Sequence, residues 1–399
     1  MDYDLFSRAF KADPHPTFAR LREEAPIYAH VAPNGRSIWY ITRHEDVVEI
    51  LKDNERLGKN ARNAFAPGDH NHPISSGSVL DLINQNMLFA DPPDHTRLRS
   101  LVNKAFTPRR IDGMIPRIQQ VTNDLLDRVA PRRRMEYIND FAFPMPMQLI
   151  TDLLGVPEAD GEQVREWCKA VIAPGSHGIN WRQRKQYIHA FIGYINTLCA
   201  QRQQVPRDDL LTALVEAEES GDRFSEAERA SMVVLLLVTG HETVVNMLGM
   251  GVVTLLQHPE QLALLQARPD LWETAVEELL RYDGPVETST TRWARQDFVF
   301  KGHPIRRGDL VRVVITSANR DGCQYAQPDQ FDIEREDSRH LSFGLGIHFC
   351  LGAHLARLEG KIALQTLFTR FPTLALADET IEWRSGVLFR GPKWLNLVL

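Results

Sequence analysis

A long, mostly apolar run from Ser225 to His258 constrains the fold of this chain more than any other segment. Ser225 and Glu228 have the spacing of a capping box, in which each side chain bonds a backbone N–H of the other residue. The apolar run follows directly, and Pro259 marks its end. The pattern predicts one unusually long helix that crosses the whole protein as a central strut.

Polar residues inside this helix argue against a membrane span. The stretch SMVVLLLVTGHETVVNMLGMGVVTLL is interrupted by His241, Glu242 and Asn246, and ionisable side chains are costly inside a bilayer. The N-terminus carries acids and no apolar stretch of signal-peptide length. Four cysteines without CxxC spacing indicate a reducing compartment rather than a disulfide scaffold: Cys168, Cys199, Cys323 and Cys350. We therefore expect a cytoplasmic protein without a membrane segment.

Helical patterns dominate the remainder of the chain. The exceptions are short β-rich runs, among them APIYAHVAPNGRSIWYI, where Asn34-Gly35 is typical of a hairpin turn. With 43% hydrophobic residues, no internal repeat and no linker, we predict a single domain over residues 1–399. Its predicted class is mainly α, a large helical domain with a long central helix and small β-sheets. A net charge of −6 and the absence of a long basic run give no argument for nucleic-acid binding.

Two polar stretches interrupt the helices. The segment NERLGKNARNAFAPGDHNHPISSGS is long for an idle loop in a compact chain, which favours a functional role. The segment APGSHGIN joins two helical patterns, and it forms either a movable lid or a surface turn.

The stretch FGLGIHFCLGAHLARLE places a cysteine between glycine-bearing turns, directly ahead of an amphipathic helix. Phe343, Gly346, Cys350 and Gly352 stand in the pattern F-x-x-G-x-x-x-C-x-G. A small buried residue is the ordinary explanation for a lone cysteine. The alternative is a thiolate presented to a metal, since a helix N-terminus and its N–H donors lower the pKa of a thiol.

This stretch closely resembles the heme-binding loop of the cytochrome P450 family, particularly its soluble bacterial members. The resemblance implies that Cys350 is the axial thiolate ligand of the iron in heme b. It further implies that Phe343, Gly346 and Gly352 shape the heme-binding loop. On this resemblance the whole chain is one P450 heme domain without a fused reductase.

The central helix contains a second stretch, VTGHETV. A glycine inside a helix lowers its stability by about 1 kcal/mol relative to alanine. Gly240 is therefore expected to have a specific role, such as leaving room for a flat cofactor or ligand. In the ordinary alternative, Glu242 reaches solvent and Thr243 bonds the preceding turn. Glu242 and Thr243 are similar to the family's acid–alcohol pair, which implies a catalytic role in supplying protons during dioxygen activation. Thr239 and Val244 depart from the residues most common beside that pair.

The stretch EELLR places Glu278 and Arg281 three residues apart on a helix. Such spacing alone is typical of a solvated ion pair worth a few tenths of a kcal/mol. In the family, E-x-x-R is instead a buried structural lock with an arginine from a later loop. The best candidate for that arginine is Arg335.

Four basic residues occupy positions that typically contact the heme propionates in the family. Each alone would be read as an ordinary surface residue, but carboxylates that are partly buried need cationic or hydrogen-bonding partners. The four are His95, Arg99, Arg292 and His348.

The resemblance implies an oxidoreductase, a monooxygenase that activates O2 with external electrons and hydroxylates or epoxidises a small apolar organic substrate. The implied electron donor is a ferredoxin or flavodoxin with its NAD(P)H-dependent reductase, and we expect a monomer. Residues 286–291 and 387–389 are expected to shape the substrate pocket, together with the aliphatic residues Leu236, Leu237 and Val387. Four basic residues form either a docking patch for an acidic partner or a solvated face: Arg97, Lys104, Arg109 and Arg110.

Three other interpretations remain. A peroxide-driven relative would commonly lack the acid–alcohol pair. A heme-binding sensor without turnover would show spectral changes with ligands but no product. A helical protein without heme, in which the cysteine is structural, would require the ordered motifs to be accidental.

Overall fold

The structure is a computed structural model that describes residues 3–32, 35–65, 78–172, 179–219 and 221–399. Parts of two expected loops, residues 66–77 and 173–178, lie outside the described residues, and so does Asn34 of the hairpin turn. The lid-or-turn alternative for APGSHGIN therefore falls outside the described part of the chain. Within the described ranges the helices are α1 (Arg8–Ala12), α2 (His15–Glu24), α3 (His44–Lys52), α4 (Asp94–Ala105), α5 (Pro108–Asp112), α6 (Ile115–Val129), α7 (Pro144–Leu154), α8 (Gly161–Ile172), α9 (Trp181–Gln204), α10 (Leu210–Glu216), α11 (Glu226–Gln257), α12 (Pro259–Ala267), α13 (Trp272–Asp283), α14 (Ile315–Ala318) and α15 (Ala353–Arg370).

Short strands form a minor part of the fold. They are β1 (Ile27–Val31), β2 (Ser37–Ile41), β3 (Leu57–Gly58), β4 (Arg134–Glu136), β5 (Glu218–Glu219), β6 (Asp222–Arg223), β7 (Arg292–Ala294), β8 (Phe298–Phe300), β9 (His303–Ile305), β10 (Leu310–Val313), β11 (Ala375–Leu376) and β12 (Asn396–Val398). A five-stranded sheet has the order β1-β2-β10-β7-β3, and a three-stranded sheet has the order β11-β12-β4. The antiparallel pairing of β1 with β2 confirms the predicted hairpin.

Helix α11 is the predicted central helix. Ser225 and Glu228 form the complete capping box, and the helix ends at Gln257 with His258 as its C-cap. Its length and composition would suffice to cross a membrane, but 72% of its most apolar window is buried inside the protein. It contacts α7, α9, α13 and α15. Burial on every side explains why the helix is apolar around its circumference.

A buried ion cluster fixes α13 to the loop that precedes the cysteine stretch. Arg281 Nε and Nη2 donate to the two carboxylate oxygens of Glu278 at 2.7 and 2.8 Å. Arg335 Nε donates to Glu278 Oε1 at 3.3 Å. Arg281 also donates to the backbone carbonyls of Asn319 and Pro328, and its side chain has no exposed surface. The sequence prediction of a buried lock with Arg335 is therefore confirmed.

Candidate functional site

The cysteine loop is shaped by its backbone and by α3. Gly344 and Gly346 have φ values of +71° and +77°, a region that favours glycine. A Cβ on Gly346 would also lie 3.0 Å from the carbonyl oxygen of Leu51 at the end of α3. The N–H of Cys350 donates to the carbonyl of Phe343 at 2.9 Å, which closes the loop ahead of α15. Gly346 is thus required by the fold of the loop, whereas Gly352 has open space at its Cβ position.

Cys350 has accessible surface as a residue because it lines an internal cavity, while protein surrounds its thiol on the other sides. Burial in the surrounding protein raises the pKa of this thiol, while the Gly352 N–H and the guanidinium groups of Arg99 and Arg357 act in the opposite direction. The N–H donor and the two cations lower the thiol pKa as expected, but the opposite effect of burial is larger. A bound cation would be needed to favour the thiolate here.

The inner cavity, about 240 Å³ in volume, separates the cysteine loop and α15 from α11. It brings together most of the sequence-predicted residues from two distant parts of the chain. On the loop side lie Phe343, His348, Cys350 and Gly352, and on the α11 side lie Leu236, Gly240, Thr243 and Val244. Leu237 was expected to line a pocket, but it is fully buried in the hydrophobic core because it points away from the cavity.

Gly240 lies on the cavity, but its missing side chain serves a helix contact. A Cβ at this position would lie 3.0 Å from Cγ1 and 3.1 Å from Cδ1 of Ile150 on α7. The glycine therefore permits the close approach of α7 to α11. The idea that it leaves open space for a ligand was incomplete, because Ile150 fills that space.

Glu242 and Thr243 point in different directions from α11. Thr243 lines the inner cavity, and its hydroxyl donates to the carbonyl of Thr239 at 3.0 Å. Glu242 is not among the residues that line the cavity, and its carboxylate accepts a hydrogen bond from Arg384 Nη1. The side chain of Glu242 is 8% exposed and that of Arg384 is 25% exposed. Sequence reasoning missed Arg384 because the two residues are 142 positions apart and share no local pattern.

Four basic side chains converge at one edge of the cavity. The rings of His95 and His348 lie 4.3 Å apart, and Arg99 Nη1 donates to the Phe349 carbonyl at 2.9 Å. Burial lowers the pKa of Arg292 to about 10. Burial and then the neighbouring cations lower the pKa of His348 to about 2. Arg99 and Arg292 therefore carry the positive charge of this edge, and buried charges require an anion for compensation.

These side chains fit the heme that the sequence implies. Both ring nitrogens of His95 are buried without a hydrogen-bond partner, as expected where a carboxylate-bearing group completes the contacts. Across the described ranges, no group of three or more His, Cys, Asp or Glu residues is arranged to hold a metal ion. One thiol, an apolar cavity and a cationic edge therefore suit an iron held mainly by a porphyrin with two propionates.

Comparison with known proteins identifies the family of the chain. The family profile described as Cytochrome P450 matches residues 5–158 and 170–388. The chain is 44% identical over 398 residues to cytochrome P450 107B1 of Saccharopolyspora erythraea, covering 98% of this chain and 96% of that protein.

Two solved structures superpose closely on this one. The P450 PksS of the bacillaene polyketide synthase of Bacillus subtilis 168 gives a TM-score of 0.91 at 41% identity, covering 98% of each chain. The myxobacterial cytochrome P450 CYP267B1 in complex with myristic acid gives a TM-score of 0.91 at 42% identity, covering 99% of this chain and 98% of that one. The chain therefore belongs to the cytochrome P450 family of heme-containing monooxygenases.

Proposed function

We propose that the inner cavity binds heme b with Cys350 as the axial thiolate ligand. The observation that carries the proposal is that the Cys350 thiol and the Thr243 hydroxyl line one cavity from opposite sides. When bound, heme supplies the activation of dioxygen and the transfer of one oxygen atom to an organic substrate. The chain itself supplies the ligand, the cations that hold the propionates, and the proton path.

We assign to the cationic edge of the cavity the role of orienting the heme, through contacts with its two propionates. His95 and Arg99 approach from α4, Arg292 from β7, and His348 from the cysteine loop. The charged guanidinium groups of Arg99 and Arg292 and the ring N–H donors of the two histidines suit carboxylates, since charge-assisted hydrogen bonds are stronger than neutral ones. The Phe343 carbonyl and Gly346 hold the loop in the shape that presents the sulfur, and the Gly352 N–H bonds the thiol.

Proton supply is assigned to Glu242 and Thr243. The Thr243 hydroxyl is at the cavity wall, where it can hold a proton at Oγ1 beside the reacting centre. The Glu242 carboxylate lies between the cavity helix and the partly exposed Arg384. It is therefore placed to take up protons from the solvent side, provided that it exchanges its contact with Arg384 for one toward Thr243.

The substrate class inferred from the cavities is apolar or amphipathic. The α11 side of the inner cavity presents mostly aliphatic side chains, and an outer cavity of about 780 Å³ lies beside β7 and β10. Val286 lines the inner cavity; Thr288, Ser289, Thr290, Thr291, Val387 and Leu388 line the outer one. The myristic acid bound by CYP267B1 and the polyketide pathway of PksS are consistent with a long, mainly apolar molecule.

Electrons are proposed to come from a separate ferredoxin or flavodoxin with its NAD(P)H-dependent reductase. The chain aligns with PksS over 98% of both lengths. The proposal includes a single heme domain that acts as a monomer in the cytoplasm. Two residues of the proposed basic docking patch have acidic partners within the chain: Arg97 forms ion pairs with Glu228 and Asp222, and Arg110 forms one with Asp208.

The experiment that tests the function combines binding with turnover. Purified protein is titrated with fatty acids and other apolar compounds, and displacement of the iron-bound water is read from the heme absorption band. Compounds that shift the band are then incubated with O2, NADPH and a surrogate ferredoxin–reductase pair, and products are identified by mass spectrometry. We expect a product that gains one oxygen atom from ¹⁸O2. Spectral shifts without any product would contradict the proposal. A product that forms with hydrogen peroxide but not with O2 and the electron-transfer proteins would also contradict it.

A further inference from the structure

Lys59 is a buried lysine that the site described above does not use. It follows β3, is only 6% exposed, and lies at the wall of the outer cavity. Its ammonium group donates to the Thr290 hydroxyl, to the Thr290 carbonyl at 2.7 Å and to the Thr291 carbonyl at 3.4 Å. All of these acceptors are neutral. Among the residues that the structure describes, no carboxylate forms an ion pair with this ammonium.

The nearest acid is already occupied by other donors. Asp91 Oδ1 accepts the backbone N–H of Lys59 at 2.6 Å, and Asp91 Oδ2 accepts from the Asn63 side chain at 2.7 Å. The carbonyl of Asp91 also accepts the N–H of His95 at 3.0 Å. Asp91 therefore fixes the backbone of Lys59 against the start of α4 and leaves the ammonium charge without a direct counter-ion.

This geometry places Lys59 between the two elements that carry the cationic edge. Its backbone is tied to the segment before His95, and its side chain is tied to the two residues before Arg292. A buried ammonium held beside other cations is unfavourable unless an anion joins them.

We propose that Lys59 is a further cation of the heme site and that its ammonium binds a porphyrin propionate. The proposal rests on the heme placement proposed above. A carboxylate is the counter-ion that a buried ammonium surrounded only by neutral acceptors requires. The other possible source is a carboxylate on the substrate, since Lys59 also borders the outer cavity. The propionate is favoured because the side chain is fixed to the two residues directly before Arg292, which belongs to the edge assigned to the heme.

The test uses the holoenzyme and measures heme retention rather than activity. Lys59→Met keeps most of the apolar stem and removes the charge, Lys59→Arg keeps the charge, and the exposed Lys185→Met is the matched control. Heme transfer to excess apomyoglobin is followed by absorbance. We expect Lys59→Met to lose heme at least about tenfold faster than the wild type, as for loss of a hydrogen bond to a charged group. Lys59→Arg should restore slow loss, and Lys185→Met should match the wild type.

A second arm identifies the carboxylate. Wild type and Lys59→Met are reconstituted with the dimethyl ester of heme, in which both propionates are neutral. We expect their heme-loss rates to become equal, because the partner of Lys59 has been removed in both. The reduction potential of the native-heme Lys59→Met protein should fall, since a positive charge beside the porphyrin favours ferrous iron.

Three results would overturn the proposal. The first is an unchanged rate of heme loss in Lys59→Met. The second is a difference in heme-loss rate between wild type and Lys59→Met that persists with the dimethyl ester. The third is a Lys59→Met protein whose only defect is weaker binding of carboxylic acids relative to their methyl esters. The carbonyl spectrum of ferrous Lys59→Met should remain that of a thiolate complex, so a failure here is distinguishable from a failure of the Cys350 assignment. If Lys59→Met does not accumulate, Lys59→Gln removes the same charge and keeps a donor for Thr290.

Discussion

At the residue scale, the position of the Cys350 sulfur is set by backbone rather than by side-chain packing. The Cys350 N–H is bound to the Phe343 carbonyl, and the two preceding glycines take the positive φ values that this turn requires. The sulfur therefore occupies a narrow range of positions at the cavity wall. Such a ligand loses little freedom when it binds a metal.

Replacement of Cys350 by alanine removes the proposed iron ligand. We expect Cys350→Ala to lose the carbonyl-complex absorption typical of thiolate-bound ferrous heme, and to lose monooxygenase activity. The exposed Cys323, in a loop away from the cavity, provides the control Cys323→Ala, which should retain both. A thiolate-type carbonyl spectrum in Cys350→Ala would show that another residue binds the iron.

Thr243 offers its hydroxyl at the cavity wall, and its removal should affect coupling more than binding. We expect Thr243→Ala to bind substrate with similar affinity but to divert reducing equivalents to hydrogen peroxide, because the proton supply beside the reacting centre is impaired. The ratio of product to NADPH consumed measures this effect. Thr243→Ser keeps a hydroxyl and should recover much of the coupling. Equal coupling in Thr243→Ala and wild type would remove Thr243 from the proton path.

The Glu242–Arg384 pair should contribute to stability because Glu242 is nearly buried. Removal of Arg384 leaves a carboxylate without its cation, so we expect Arg384→Gln to lower the free energy of unfolding by on the order of 2 kcal/mol. Glu242→Gln in the same background should cost much less than it does alone. Urea unfolding of the two single variants and the double variant measures this coupling. Strictly additive effects would mean that the ion pair does not form in solution.

At the element scale, small residues on α11 allow neighbouring segments to pack close to this helix. Gly249 lies opposite Pro392, where a Cβ would be 2.8 Å from Cγ and 3.0 Å from Cδ of the ring. The pyrrolidine ring is rigid and cannot rotate away. At position 249, helix propensity therefore favours alanine, whereas packing against Pro392 favours glycine.

Two glycine replacements separate these effects. Gly249→Ala should destabilise the protein by about 1–3 kcal/mol, as is usual for an overpacked core. Gly193→Ala, in the exposed face of α9 with no atom within 4 Å of the new Cβ, should stabilise it by up to about 1 kcal/mol. Chemical unfolding of both holoproteins measures the difference. Stabilisation by Gly249→Ala would show that the contact with Pro392 relaxes readily.

At the scale of the whole molecule, the chain needs an external source of electrons if it is a single heme domain. We expect purified protein with NADPH and O2 to give no product, and addition of a ferredoxin and its reductase to start turnover. The rate should fall as ionic strength rises if the partners associate through opposite charges. Turnover with NADPH in the absence of any partner would contradict the single-domain proposal.

Much of the fold could be predicted from local sequence, whereas the roles of the site residues were predicted through the family resemblance. The capping box at Ser225 and the length of α11 follow from spacing within one segment, and so does the loop that carries Cys350. Hydrogen-bonded turns and helix caps depend on residues a few positions apart, which a sequence displays directly. The Glu278–Arg335 contact was also predicted, but only through family resemblance.

Other features depended on the tertiary structure because they join residues that no local pattern connects. Arg384 reaches Glu242 across 142 positions, Ile150 occupies the space beside Gly240, and Lys59 lies beside Thr290 across 231 positions. These contacts matter because they are buried. Burial changes the free energy of a charge, or of one added methyl group, by kilocalories per mole. The sequence by itself thus determined the helices and the cysteine loop, through short-range periodicity and turn chemistry. Only the packed structure decided which charges meet, because packing selects contacts by shape and by exclusion of water.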